Sequence, residues 1–109
     1  MQYLWTWGGK FFGYRADDDL WTYTGRHVGR FNGNEVYDRR GRYLGEVIDD
    51  RLIRNRMKRL WRSGIFMPYM NGVSLVKLVD YVGFVMYVGH DDFLPPEAFH
   101  SENRVGLSI

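Results

Sequence analysis

Two stretches of this chain carry side chains whose types and spacing could do chemistry. His90, Asp91 and Asp92 set an imidazole beside two carboxylates, the groups a metal-dependent hydrolase uses to hold a cation or to pair a general base with its orienting acid. Neighbours on an extended chain point to opposite faces, so the three side chains cannot all converge on one ligand. A polar turn after the apolar run that precedes them accounts for the same residues. The second stretch holds Arg51, Arg54, Arg56, Lys58, Arg59 and Arg62, with Trp61 among them. Arginines neutralise phosphates and an indole stacks on unpaired bases, so residues 51–62 could hold single-stranded nucleic acid. The side formed by Met57, Leu60 and Trp61 could instead dip into an anionic membrane surface. Or the charge blunts an exposed strand edge, with Asp17–Asp19, Asp49 and Asp50 as counterions.

Other chemistry is excluded more simply. The chain has no cysteine, which removes disulfides, thiolate metal sites and thiol nucleophiles together. No serine elbow with a histidine and an acid appears, and Gly8-Gly9-Lys10 is a turn rather than a phosphate loop, because Gly25-Arg26 and Gly41-Arg42 repeat it at a fixed interval. His27 takes the place that Phe11 and Tyr43 hold in neighbouring copies, so it is expected to pack as an aromatic ring. His100 has no informative spacing. These observations argue against an enzyme and imply no cofactor and no bound metal.

The elements that must position these groups come from a repeat of sixteen residues. Leu4, Leu20, Val36 and Leu52 fall in register, as do Trp5, Trp21, Tyr37 and Ile53, then Gly9, Gly25 and Gly41, then Lys10, Arg26 and Arg42, and last Gly13, Gly29 and Gly45. Several columns holding register together mark a repeat architecture. Within a copy, Leu20-Trp21-Thr22-Tyr23 and His27-Val28-Gly29-Arg30-Phe31 read as two short strands about a tight turn, so each copy is a β-hairpin. Asp17-Asp18-Asp19, Asn32-Gly33-Asn34 and Asp49-Asp50 supply turns between copies. The fold class is therefore all-β: tandem hairpins, 4–19, 20–35 and 36–51 with a partial copy 52–62, set around a pseudo-symmetry axis. One domain over 1–109 is expected. Leu4, Leu20, Val36 and Leu52 with Phe12, Val28 and Leu44 form the expected inner set. Glycine inside a strand needs a reason, so Gly13, Gly29 and Gly45 are expected to converge on a hub free of side chains. Trp5, Trp21 and Tyr37 then face outward as an aromatic row, and such a row is a contact surface or a second packing face.

Residues 63–109 form a β-rich extension. The pattern predicts a strand to Asn55 with a short helical turn after it, strands within 73–78 and 79–89, one helical turn near Leu94–Phe99, and a tail from Ser101. Ile65-Phe66-Met67-Pro68-Tyr69-Met70 suits an adaptable contact surface as well as a core. The net charge is +2, and residues 51–62 hold six basic and no acidic side chains. Pro68, Asn71, Lys77 and Asp80 interrupt the longest apolar region, which excludes a transmembrane helix. The first residues show no secretory signal, so a cytoplasmic location is expected.

The run from Leu20 to Phe31 and the run from Val36 to Val47, which contains Tyr37-Asp38-Arg39-Arg40-Gly41-Arg42, resemble the small bacterial family of four-fold β-flower domains. The resemblance covers roughly residues 3–56. It implies hairpins set like petals about an axis and carries no catalytic residue. The function expected is a non-enzymatic interaction module that binds a protein partner or a second copy of itself.

Overall fold

The computed structural model describes residues 1–99. In chain order the strands are β1 (Gln2–Thr6), β2 (Phe11–Ala16), β3 (Asp19–Thr22), β4 (His27–Asn32), β5 (Glu35–Tyr37), β6 (Tyr43–Ile48), β7 (Arg51–Asn55) and β8 (His90–Asp92). Neighbours pair antiparallel, and β1 closes on β7 in parallel through Trp5–Arg51 and Thr6–Leu52. A ring of seven alternating strands brings its first and last strands together pointing the same way, so closure has to be parallel. His100 and the tail 101–109 lie outside the described residues.

The sixteen-residue period becomes geometry at both ends of this barrel. At one end lie the turns between hairpins, each carrying one left-handed residue: Asp17 (φ 54°), Gly33 (φ 64°) and Asp49 (φ 55°). Asp tolerates that conformation better than most side chains do, which is why it can replace glycine there. At the other end are the hairpin tips. Thr6, Thr22 and Asp38 each accept a hydrogen bond from the backbone N–H of Lys10, Arg26 and Arg42 through the side-chain oxygen (3.2, 3.2 and 2.9 Å). A short polar side chain that bonds its own turn fixes the tip without help from elsewhere.

Inside, Leu4, Leu20, Val36 and Leu52 join Phe12, Val28, Phe31, Val47, Phe93 and Phe99 in one buried cluster, with Leu44 packed against it. The inner set read from the repeat is confirmed. The side-chain-free hub is not. The axis is filled by these side chains, and the glycines stand at the joints between hairpins. A Cβ on Gly13 would meet the carbonyl oxygen of Trp21, one on Gly29 that of Tyr37 at 2.6 Å, and one on Gly45 that of Ile53 at 2.7 Å. Each glycine thus lets the second strand of one hairpin press against the first strand of the next. The pairing register slips beside these contacts, between Leu4 and Trp5, Leu20 and Trp21, and Val36 and Tyr37, as a bulge does.

The fourth hairpin is built from distant parts of the chain. After β7 comes a 3-10 turn at Arg56–Lys58, opened by Asn55, whose side chain accepts from the N–H of Met57. The second strand is β8, paired as Ile53–Asp92, Arg54–Asp91 and Asn55–His90. This register places Phe93 where Phe12, Val28 and Leu44 stand in the other hairpins, and its ring meets Phe12 edge-on at 5.3 Å. Residues 96–99 make the expected helical turn. The strands expected within 73–78 and 79–89 do not form. Their β-branched composition suits a strand, but among the described residues no strand pairs with them.

Candidate interaction face at the hairpin tips

Residues 56–89 are the tip loop of the fourth hairpin, enlarged until it visits every other tip. The backbone N–H of Ser63 bonds the carbonyl of Gly41 (2.9 Å), that of Gly72 bonds Gly25 (2.7 Å) and that of Tyr81 bonds Gly9 (2.7 Å). Between them, Phe66 N–H bonds Arg39, Leu75 N–H bonds Tyr23 and Phe84 N–H bonds Trp7 (3.0, 2.6 and 3.0 Å). Nine residues of loop therefore cross sixteen residues of barrel, and the loop meets the third, second and first hairpins in that order before rejoining the fourth. It is a belt around one end of the barrel.

The belt covers the aromatic row. Trp5, Trp21 and Tyr37 are buried at 6%, 8% and 5% exposure, so of the two roles open to the row it is a second packing face and not a contact surface. Trp5 stacks on Tyr81 at 4.2 Å and donates its indole N–H to the carbonyl of Val79 at 3.0 Å. Trp7 donates likewise to Val85 (2.9 Å), and Tyr14 to Val73 (2.7 Å). His27 does pack as a ring, stacked against Trp21 and Tyr69 at 4.8 and 5.0 Å, while those two rings stack on each other at 6.0 Å. Its Nδ1 accepts the N–H of Tyr69 (3.0 Å), which leaves Nε2–H to donate to Asp19 (2.9 Å). Burial lowers the pKa of this imidazole below the ordinary histidine value, with Asp19 opposing the shift.

What the belt turns outward is apolar. Met70, Val79 and Val88 form one column at 90%, 79% and 100% exposure, and Met67, Val76 and Val85 form another at 85%, 86% and 89%. Isolated exposed apolar residues are ordinary, but six of them recurring at nine-residue spacing on one loop suit a contact surface. From residue 63 to 89 the only charged side chains are Lys77 and Asp80, and they pair with each other at 3.5 Å. Asp80 also accepts the backbone N–H of Phe11 (2.8 Å), which holds its carboxyl below the usual range. These outward columns were missed in the sequence. The signal was present as a nine-residue period, Phe66-Leu75-Phe84, Met67-Val76-Val85 and Tyr69-Leu78-Tyr87, hidden because it fits neither a strand nor a helix.

The basic segment is divided among several tasks. Arg51 is buried; its guanidinium donates to the carbonyls of Trp7 (3.3 Å) and Val82 (3.1 Å) and lies over the ring of Phe84 at 3.9 Å. Arg56 holds Asp91 at 2.8 Å, with Arg54 at 4.0 Å from the same carboxylate. Lys58 bridges Glu35 (3.3 Å) and Glu46 (3.0 Å) and sits over Trp61 at 4.7 Å. Arg59 and Arg62 are exposed, and among the described residues no carboxylate pairs with either. The His90 group is likewise occupied by structure. Asp91 faces the arginines, Asp92 accepts the N–H of Gly8 (3.1 Å), and His90 Nδ1 lies 3.0 Å from the carbonyl of Val88. Among the described residues no group of three or more His, Asp or Glu side chains could hold a metal, and no helix is long and apolar enough to cross a membrane.

No curated protein and no solved structure matches the chain. A family model does match, that of the 4-fold beta flower protein, over residues 1–62. The matched span runs past β7 into the first residues of the belt, so it holds the repeat itself and stops short of the strand that completes the fourth hairpin. Seven strands closed into a ring, three hairpins in sixteen-residue register and a fourth finished from a distance are the petals of such a flower, and the chain belongs to the 4-fold β-flower family.

Proposed function

We propose that this chain is a non-enzymatic interaction module in which the barrel is a scaffold and the outer face of the belt is the working surface. The observation that carries this is the pair of outward columns, Met67-Val76-Val85 and Met70-Val79-Val88, each side chain at least 79% exposed. Exposing that much apolar surface is unfavourable unless something covers it, since each square ångström returned to cover is worth roughly 25 cal/mol. The side chains first suspected of chemistry support the same reading, because His90, Asp91, Asp92 and most of the 51–62 cations are engaged in holding β8, the belt and the tips together.

A dye that fluoresces on apolar protein surfaces tests the proposal. The native protein should enhance its emission strongly, and the double variant Val79→Asp/Val88→Asp should lose most of that response, several-fold, while the near-ultraviolet signature of the stacked Trp5 and Trp21 stays unchanged. A native protein that leaves the dye dark would overturn the proposal.

A further inference from the structure

Charge is sorted along the barrel axis. The turns between petals carry Asp17, Asp18, Asp49 and Asp50, all exposed; Arg15 pairs with Asp18 at 3.1 Å, and the other three form no ion pair among the described residues. The opposite end carries the belt, bordered by Arg39 and Arg40 at the third tip and by Arg59 and Arg62 where the belt departs. All four arginines are exposed, and none has a carboxylate partner among the described residues. Side chains with an apolar body and a polar tip, Trp61, Tyr69 and Tyr87, are half-exposed on the same belt (46%, 54% and 49%).

We propose that the petal-tip end docks on an anionic lipid surface, with the Met70-Val79-Val88 and Met67-Val76-Val85 columns entering the headgroup region and the four arginines meeting lipid phosphates. This rests on the interaction-module reading and names its partner. A ring of apolar side chains around one end of a barrel suits a plane that crosses the axis. Valine and methionine supply the buried area and arginine the attraction to negative charge, while tyrosine and tryptophan suit the boundary between them. The belt's irregular backbone keeps polar groups that hydrocarbon could not satisfy, so docking is shallow. A second copy fits less well. Tip against tip would oppose the same arginines, and tip against base would cover valines with aspartates. A nucleic acid would satisfy the arginines but leave the apolar columns in water.

Sedimentation of the full chain with vesicles decides the matter. Vesicles of phosphatidylcholine containing phosphatidylserine should bind at least about tenfold more protein than phosphatidylcholine alone, given roughly 1 kcal/mol per basic side chain near such a surface, and salt should weaken the binding. Arg39→Gln/Arg40→Gln/Arg59→Gln should erase the preference for phosphatidylserine, and Val79→Asp/Val88→Asp should lower binding to both kinds of vesicle. Each variant is first shown to keep the near-ultraviolet signature. Equal binding to the two vesicles, or wild-type binding by the aspartate variant, overturns the lipid proposal. So does a stable dimer, or a complex with a single-stranded oligonucleotide, in protein that ignores vesicles. If the protein lights the dye yet ignores vesicles, lipid docking falls and the interaction module stands; if it does neither, both fall.

Discussion

Gly29 and Gly33 look alike in the sequence and do different work. A Cβ on Gly29 would come within 2.6 Å of the Tyr37 carbonyl and 3.0 Å of the Val36 side chain, so the joint between two petals would have to open. A Cβ on Gly33 would meet nothing within 4 Å, and only the left-handed backbone at φ 64° opposes it. Gly29→Ala should therefore cost about 2 kcal/mol, as overpacking does, and Gly33→Ala about 1 kcal/mol. Urea unfolding followed by tryptophan fluorescence measures both; equal costs would show that close approach is not what the petal glycines provide. The column Gly13, Gly29, Gly45 was legible from the period alone. Where it sits was not, because a periodic absence of side chain says that something comes close without saying what.

At the scale of elements, the belt is latched to the second petal by His27. Neutral imidazole is the form that fits: Nδ1 accepts from Tyr69 N–H, and a proton there would set donor against donor. The charged groups near the ring are Asp19 on β3, which favours protonation, and Arg30 on β4, which opposes it, while the belt contributes only the uncharged rings of Phe66 and Tyr69. Because burial depresses the folded pKa, the unfolded chain binds the proton more readily, and stability is fully present above about pH 6.5, the unfolded histidine value. It should fall as the pH drops from there towards the folded pKa. Asp80 and Asp91, whose carboxyls are held low by the Phe11 N–H and by Arg56 respectively, titrate below this window. Thermal unfolding between pH 7 and 5, roughly the range over which histidine titrates, should show a smaller loss in His27→Phe than in the wild type. Parallel curves would remove the latch. That His27 packs as a ring was readable from its register with Phe11 and Tyr43. Its partner on the belt lies 42 positions away and was not.

For the whole molecule, the ring closes through β1 and β7 inside the family-matched span, but the fourth petal's second strand and the cover over the tips come from beyond it. Residues 1–62 contain every first strand of the four petals but lack β8, Phe93, Phe99 and the belt that covers Trp5 and Trp21. Removing Phe93 alone should cost about 3–5 kcal/mol, the usual range for emptying a buried aromatic site, and removing everything from residue 63 leaves the edge of β7 open beside the uncovered rings of Trp5 and Trp21. A chain ended at residue 62 is expected to lose its cooperative urea transition, whereas the full chain shows one. A sharp transition in the short form would mean that the petals close without their return strand.

Local chemistry repeated at fixed intervals was decided by the sequence itself. Sixteen-residue columns of leucine, glycine and threonine or aspartate specify hairpins, their tips and the side that faces inward, because strand alternation and turn conformation depend on neighbours only a few positions apart. Folding in three dimensions decided the rest: that the fourth petal takes its second strand from His90–Asp92, that the aromatic row is roofed over, and that Arg51 is buried while Arg59 is exposed. Those outcomes follow from a belt whose hydrogen bonds reach to distant residues. A segment with no ladder of its own leaves no periodicity of strand or helix to read, so its path is set by the tips it must satisfy.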